Sequence, residues 1–353
     1  MNREHLLFAF LLFFLISQAI IAQTGYRVIG AVHHIEEAMS SDFYISKVED
    51  RRTFRANLGI VNRGKDYSEK RALIPEVGFW EEIKLRMNSW TAPAPQSKPV
   101  TVQVEELYLW EDRSQQSGEG HVQLRVRFLE RGRAIPVEVE ILGKELLVSE
   151  GHGPRLEKAF FQCLQHYSEL RQVEEQSTAD LAVANYPADG WGSAASFLDL
   201  WNGDLKPANI RLKKVGRADV PRFRIRSSRS HSYYAIAKGD NWLIKANNYF
   251  GEGDYYVPIL EKGRYLFLID ERPREGWQRL SLERSKPGER VGILIDMETG
   301  LPQVVDDELL QRLMAPYPDL QDRYLFKEIK KYPFQLNRVR NVIAEINRRE
   351  ENS

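Results

Sequence analysis

The sequence predicts an α+β fold in two domains: a first domain with two helices packed on a mostly antiparallel sheet, and a second, β-rich module that ends in helices. Three observations carry this prediction. Runs of alternating apolar and polar residues, typical of half-buried strands, occur in both halves of the chain. Helical spacing of apolar residues appears beside these strands in each half. Residues 172–192 lose both patterns and carry Pro and Gly, which is typical of a linker between domains.

The first domain, residues 23–171, reads as strands and helices in a simple order. The predicted strands are 43–48, 55–61, 100–110, 121–129 and 135–141, and the predicted helices are 75–90 and 154–171. Turn residues at 117–120 and 131–133 join the last three strands as a meander. Helix 75–90 places its apolar residues at mostly helical spacing: Val77, Trp80, Ile83, Leu85 and Met87. Cys163, the only cysteine, falls on the apolar side of the second helix and is predicted to be a buried small hydrophobe.

The second domain, residues 193–353, is predicted to hold a small antiparallel sheet or partial barrel. Its predicted strands are 211–225, 233–237, 241–245, 254–260, 264–269 and 291–296. Two helical stretches follow at 306–314 and 320–348, the second interrupted near Pro333. The charged and glycine-containing turns between strands favour short antiparallel connections.

The N-terminus predicts export. Arg3 precedes an apolar run from Leu6 to Ile16, and Ala22 supplies a small residue where signal peptidase cuts. Residues 1–22 therefore read as a cleaved signal peptide, with the mature chain starting near Gln23; an uncleaved membrane anchor is the alternative. The expected location is the periplasm, the outer-membrane surface or the medium. No later apolar run has the length that a membrane-spanning helix needs.

Composition argues against a global attraction to polyanions. The 50 basic and 50 acidic side chains cancel, so no nucleic-acid partner is expected, and binding to anionic lipid requires a local patch. The sequence contains no G-x-S-x-G, H-E-x-x-H, P-loop or dinucleotide fingerprint, so no enzyme class is indicated and no cofactor is expected. His33 and His34 with Glu36 and Glu37 have metal-binding side chains, but adjacent residues point in different directions. No metal site is therefore predicted.

One stretch imitates a protein-kinase catalytic loop. Residues 202–210 read NGDLKPANI, in which Asp204 and Asn209 take the positions of the catalytic Asp and the metal-binding Asn. The Gly-rich loop, the strand lysine and the Asp-Phe-Gly segment that must accompany it are missing from the sequence. The local pattern instead predicts a short helix capped by Ser196 or Ser193 and ended by Asn202-Gly203, followed by a strand from Asn209.

Two resemblances bear on compartment. ISKVEDRR at 45–52 and LGIV at 58–61, followed by a helix, resemble the opening of YajG-like envelope lipoproteins and related ABC-transport auxiliary proteins. That resemblance covers roughly residues 40–172 and implies a small α+β domain of the Gram-negative periplasm. The chain departs from the pattern in lacking a lipid-attachment Cys near its N-terminus. The segments YYAIAKGDNWLIKAN, YYVPILEKGRYLFLID and LIDMETG in the second half resemble exported proteins of Bacteroidetes, a resemblance that implies no activity.

Three groups of side chains are candidates for ligand binding. Asp50 and Arg52 follow a strand end and suit either a pair that fixes the loop or a ligand contact. Arg222, Arg224 and Arg226 alternate, which places them on one face of a strand, where they suit an anionic partner or an exposed face paired with nearby acids. The third group is aromatic and suits either sugar stacking or core packing. It comprises Tyr234, Trp242 and Tyr255, with Tyr233, Tyr249, Phe250 and Tyr256 nearby.

Two function hypotheses follow. The first is an exported, non-enzymatic protein of the cell envelope that binds an envelope partner. The alternative is a glycan-binding or glycan-processing protein that uses the aromatic group together with Asp240, Glu252 and Asp254. Two facing carboxylates in a cleft favour the alternative.

Overall fold

The structure is a computed structural model. It describes residue 39 and the ranges 41–63, 69–91, 93, 95–112, 118–144, 152–173, 190–216, 220–226, 233–251, 253–271, 288–324 and 335–352. The signal segment, the His33–Glu37 cluster, Pro333 and most of the linker lie outside these residues. The described residues form helices and strands in three sheets, which confirms the α+β class.

The first sheet contains six strands. They are β1 (Phe43–Asp50), β2 (Gly59–Arg63), β3 (Glu69–Ala72), β4 (Lys98–Asp112), β5 (Glu119–Glu130) and β6 (Arg133–Lys144). The order is β3-β2-β4-β5-β6, and β1 pairs with the first part of β4. The meander β4-β5-β6 is antiparallel as predicted. Two features differ from the sequence reading: β3 was not predicted, and both β1 and β2 run parallel to β4.

Two helices cover one face of this sheet, α1 (Phe79–Thr91) and α2 (His152–Val173). The core between them contains alternate residues of β4 to β6 and the apolar side of α2, including Cys163, which is buried as predicted. The predicted apolar face of α1 is partly wrong. Ile83 and Met87 are buried, but Val77 is 107% and Leu85 is 65% exposed. Val77 precedes the helix, which starts at Phe79. The buried stripe consists of Phe79, Ile83, Met87 and Trp90, which are three or four residues apart, and Leu85 lies off this stripe.

The second half forms two antiparallel sheets. Seven strands follow the order β8-β7-β11-β12-β13-β10-β9, and three more follow the order β14-β15-β16. The strands are β7 (Trp191–Ala194), β8 (Lys206–Ala208), β9 (Leu212–Lys214), β10 (Phe223–Ile225), β11 (Ala235–Lys238), β12 (Asn241–Lys245), β13 (Tyr256–Pro258), β14 (Tyr265–Glu271), β15 (Arg290–Asp296) and β16 (Pro302–Val304). The predicted strand 211–225 is two strands, β9 and β10, and β7, β8 and β16 were not predicted.

The kinase-like stretch is the end of a helix and the start of a strand. Helix α3 (Phe197–Asn202) begins with a capping box in which Ser196 accepts from the backbone of Asp199, and Gly203 ends it with a φ of 75°. The predicted helix and its stop are therefore confirmed. The predicted strand start at Asn209 is wrong: β8, which includes Pro207, ends at Ala208, and β9 begins at Leu212. A proline is tolerated there since β8 is an edge strand.

Four further helices are α4 (Asn247–Phe250), α5 (Asp307–Met314), α6 (Pro318–Arg323) and α7 (Gln335–Glu350). The last three pack on β14 and β15 through a cluster that includes Phe267, Leu294, Leu310, Val339 and Ile343. Helix α5 lies where the sequence placed it, with Asp306 as its N-cap. No helix among the described residues is both long enough and apolar enough to cross a membrane.

The two halves share a hydrophobic cluster. Phe54 and Tyr108 of the first half pack with Phe197, which lies on α3 of the second half, at ring-centroid distances of 5.5 and 6.1 Å. Polar contacts join the halves as well: the Asn57 side-chain amide donates to the Thr299 carbonyl at 2.7 Å. The face of the first sheet opposite its helices is thus partly covered by the second half.

Candidate anion-binding face

Strands β9 and β10 form an antiparallel hairpin at one edge of the seven-stranded sheet. Leu212 pairs with Ile225 and Lys214 with Phe223. The backbone N–H of Val215 donates to the Arg222 carbonyl at 2.8 Å, and that of Arg226 donates to the Arg211 carbonyl at 2.7 Å. The ladder therefore extends beyond both strands, from Arg211 to Val215 and from Arg222 to Arg226.

Alternation along these strands places the apolar side chains on one face, which also carries the exposed Lys214, the cross-strand partner of Phe223. Leu212, Phe223 and Ile225 are partly buried and pack against a small cluster that includes Ile236 and Tyr256. The intervening residues of both strands share the opposite face and are exposed. They are Arg211, Lys213, Arg224 and Arg226, which together are called the basic face below.

The basic face brings like charges directly opposite each other. Lys213 is the cross-strand partner of Arg224, and Arg211 lies beside Arg226. Opposed residues of an antiparallel pair have Cβ atoms about 5 Å apart, and like charges in that position are unfavourable. Within the described part of the chain, no acidic side chain forms an ion pair or hydrogen bond with any of the four. Local folding thus leaves four cations whose charge an external anion can neutralise.

Arg222 is separated from the other two arginines of the predicted row. Its Nε donates to Asp270 Oδ1 at 2.7 Å, a terminal nitrogen donates to the Glu271 carbonyl at 2.6 Å, and its guanidinium lies 4.5 Å from the Tyr255 ring centroid. Asp270 is fully buried and also accepts from the hydroxyls of Tyr249 and Tyr255, at 2.9 and 3.0 Å. Burial raises the pKa of Asp270, and the Arg222 charge opposes that rise only in part. Arg222 therefore serves a structural ion pair.

Asp50 and Arg52 also form a structural pair. Arg52 is 2% exposed, and its Nε and one terminal nitrogen donate to the two Asp50 oxygens, both at 2.9 Å. Its other terminal nitrogen donates to the Asn57 carbonyl at 2.8 Å. Partial burial by itself would raise the pKa of Asp50, but the hydrogen bonds and charge of Arg52 outweigh it and hold the pKa below its ordinary value. The pair fixes the loop between β1 and β2.

The aromatic candidates do not form a common exposed platform. Tyr234, Trp242 and Tyr255 all pack, partly buried, against the cluster that the two halves share. Tyr234 meets Phe197 edge to face at 6.0 Å, and burial raises its pKa. The Lys262 ammonium lies 5.0 Å from the Trp242 ring centroid. These positions suit core packing more than sugar stacking.

The carboxylates proposed for glycan processing are on the surface with separate lysine neighbours. Asp240 is fully exposed and lies 3.4 Å from Lys262 Nζ, while Asp254 is largely exposed and lies 3.9 Å from Lys245 Nζ. Glu252 lies outside the described residues. Among the residues that the structure describes, no three His, Cys, Asp or Glu side chains are grouped as metal ligands.

Two sets of polar residues were not found from the sequence. Arg211 and Lys213 complete the basic face, and the signal for them was the alternation R-L-K that mirrors R-F-R-I-R across the turn. A buried network also joins β4 to the start of α2: His152 Nε2 and Glu111 Oε1 are 2.8 Å apart, and the Asn62 amide donates to Glu111 Oε2 at 2.8 Å. No local pattern indicates that network, because its members come from three distant segments.

Comparison with known proteins adds no functional assignment. No protein-family model matches the chain, and no curated protein matches it. A solved structure described as that of an uncharacterized protein aligns with 43% of this chain and 99% of its own, at 9% identity and a TM-score of 0.24. A similarity that weak establishes neither a shared fold nor a shared function.

Proposed function

We propose that this chain is an exported, non-enzymatic protein of the cell envelope that binds an anionic envelope partner through the basic face. The observation that carries the proposal is the two-by-two arrangement of Arg211, Lys213, Arg224 and Arg226, which have no acidic partner among the described residues. The N-terminal signal and the resemblance of the first half to envelope lipoproteins support the compartment. The candidate residues Arg224 and Arg226 keep their proposed role, whereas Asp50, Arg52 and Arg222 act in structural pairs.

The other candidate charged residues, Asp50, Arg52 and Arg222, are held in ion pairs within the fold, which favours a binding role for the chain over a catalytic one. Asp270 and Arg52 are buried in fully formed hydrogen-bond arrangements, and removing one partner of such a pair would leave an uncompensated buried charge, so these groups have a structural role that needs no substrate. The basic face is different, because its cations lie in solvent at an edge hairpin. Exposed charges that oppose each other cost stability unless a partner neutralises them.

Glycan binding is the second candidate, and only Trp242 favours it. Its ring is partly exposed and carries a lysine ammonium against it, an arrangement in which an aromatic ring also accepts a sugar face. Tyr234 and Tyr255 are committed to the shared cluster. A glycan site on this surface would therefore rest on one aromatic side chain.

The proposal is tested by sedimentation of the chain from Gln23 onward with Gram-negative envelope fragments, at 0.05 M and 0.5 M salt. We expect sedimentation at low salt and its loss at high salt, since exposed charges are screened. The double variant R224Q/R226Q should reduce the bound fraction several-fold. The matched control is K158Q/K238Q, which removes two exposed lysines outside the face. Equal loss in both variants, or retention in R224Q/R226Q, contradicts the proposal. W242A should change nothing unless the partner is a glycan.

A further inference from the structure

The basic face is flanked by an apolar residue, Val215, beyond the end of β9. Val215 lies two residues beyond Lys213, on the same face, and its backbone pairs with Arg222. Its side chain is 43% exposed. One face of a two-stranded edge therefore presents four cations in two rows, followed by Val215 and, opposite it, by Arg222, whose charge is already paired with Asp270.

We propose that this face docks on an anionic phospholipid surface, with the four cations against headgroup phosphates and Val215 at the boundary between headgroups and acyl chains. This inference rests on the proposed function and names its partner. Arg224, Arg226 and Arg211 present planar donor groups that bind phosphate oxygens in pairs, and Lys213 adds a compact charge. An apolar side chain next to a basic cluster is the combination that peripheral membrane surfaces use.

The shape of the face favours a lipid surface over a polyanionic chain. Adjacent strands lie about 4.8 Å apart and alternate residues about 7 Å apart, so the four side chains form a compact array. Proteins that bind single-stranded nucleic acid combine a charged groove with aromatic rings for stacking. Here the aromatic residue of the hairpin, Phe223, lies on the inner side. A compact array of exposed charges matches a surface of laterally mobile phosphates, which needs no groove.

The balanced charge of the whole chain makes the expected binding local and salt-sensitive. With 50 basic and 50 acidic residues, attraction comes from the patch and decays within a Debye length, about 10 Å at 0.1 M salt. Each Lys or Arg held near an anionic leaflet changes partitioning about fivefold. Loss of two cations should therefore weaken binding about 25-fold.

The test is co-sedimentation of the chain from Gln23 onward, which retains every described residue, with vesicles of phosphatidylglycerol and phosphatidylcholine in equal parts. Pure phosphatidylcholine vesicles are the uncharged reference. We expect binding to the mixed vesicles only, about 25-fold weaker partitioning for R224Q/R226Q, and a change under twofold for K158Q/K238Q. V215S should weaken binding about threefold and leave its salt dependence unchanged. Circular dichroism confirms that each variant is folded.

The outcomes separate this inference from the proposed function. Absence of binding to the mixed vesicles, or equal loss in the two double variants, overturns the lipid inference. If the lipid inference fails but R224Q/R226Q still binds envelope fragments more weakly than the wild type does, the proposed function stands and the partner is another anion. Binding to a soluble acidic polysaccharide without binding to vesicles identifies that other anion and likewise overturns the inference. If R224Q/R226Q binds both vesicles and envelope fragments as well as the wild type does, both proposals are wrong.

Discussion

The buried charged residues of this protein differ in how completely their side chains are hydrogen-bonded. Arg52 and Asp270 are buried with geometrically complete partners, whereas Glu106 of β4 is buried with an incomplete set. Glu106 Oε1 accepts from Arg125 at 3.0 Å and from the Asn202 amide at 3.2 Å, while its Oε2 is buried without a hydrogen bond. Burial raises the pKa of Glu106; the Arg125 charge opposes this, and the carboxylates of Glu138, Asp204 and Asp199 add to the rise.

The raised pKa of Glu106 predicts a stability change with pH. The folded state holds this proton more tightly than the unfolded state, so the wild type loses stability as pH rises from the ordinary value of 4.5 through the raised pKa. E106Q imitates the neutral form and should be more stable than the wild type at pH 7.5, with a smaller difference at pH 4. Urea unfolding at both pH values measures this. The control E76Q removes an exposed carboxylate that is not among the main charges acting on Glu106, and it should show no such gain. A gain for E106Q that does not depend on pH contradicts the assignment.

At the scale of elements, the first sheet depends on a close approach between β2 and β4. Gly59 begins β2 in parallel register with Leu109 and has a φ of +142°. The Leu109 N–H donates to the Leu58 carbonyl at 2.8 Å, which locks the two backbones together. A Cβ at position 59 would lie 1.9 Å from the Leu109 carbonyl oxygen. Only glycine allows both this conformation and this distance.

Substitution of Gly59 is therefore expected to disrupt the sheet. G59A should lower the free energy of unfolding by about 3 kcal/mol or more, because strand backbones must separate and φ is unfavourable. The control is G132A, at the β5–β6 turn, where φ is +82° and no atom lies within 4 Å of the added Cβ. That change should cost about 1–2 kcal/mol, the left-handed penalty alone. Denaturant unfolding measures the stability of both variants. Equal losses would mean that β2 and β4 move apart at little cost, which contradicts the prediction.

In the whole molecule, the described part of the first half has one hydrophobic cluster of its own, the second half has two, and the halves share a fourth. The core under α1 and α2 is built from first-half residues, and the cluster under α5 to α7 from second-half residues. Tyr108 and Phe54 belong to the shared cluster and are 1% and 4% exposed. Separate folding of the halves remains a prediction. Separating them would expose the shared cluster and would lower the stability of each half.

Fragments test that prediction. Since α2 ends at Val173 and β7 begins at Trp191, suitable fragments are 23–173 and 190–353. Each should unfold cooperatively, and the 23–173 fragment should have a lower unfolding midpoint than the intact chain because Tyr108 and Phe54 lose their cover. Circular dichroism against denaturant measures both. Two unfolded fragments beside one sharp transition of the intact chain would mean that the halves form a single folding unit.

The features of this protein that depend on neighbours along the chain were predictable from its sequence. Alternation placed β4, β5 and β6 close to their observed bounds, since a half-buried strand must alternate whatever its partner is, and short apolar runs next to turn residues placed β12 and β15. The stop of α3 at Gly203 and the turn at Gly132 followed from backbone conformations that few residues adopt. The alternating arginines at 222–226 were visible in the same way.

Sequence patterns did not predict which distant segments pair with each other, because that depends on long-range packing. The parallel pairing of β1 and β2 with β4 joins residues far apart in the chain, and nothing in a strand's own alternation selects its neighbour or its direction. The register shift between Val104 and Glu106 turns Glu106 away from the helices and toward the second half, where Asn202 meets it. The pairing of β9 with β10 brings the four cations of the basic face together from two short segments. Arg222 is not part of that group because it forms an ion pair with Asp270. Local patterns fix which side of a strand is apolar, but long-range packing fixes what that side faces.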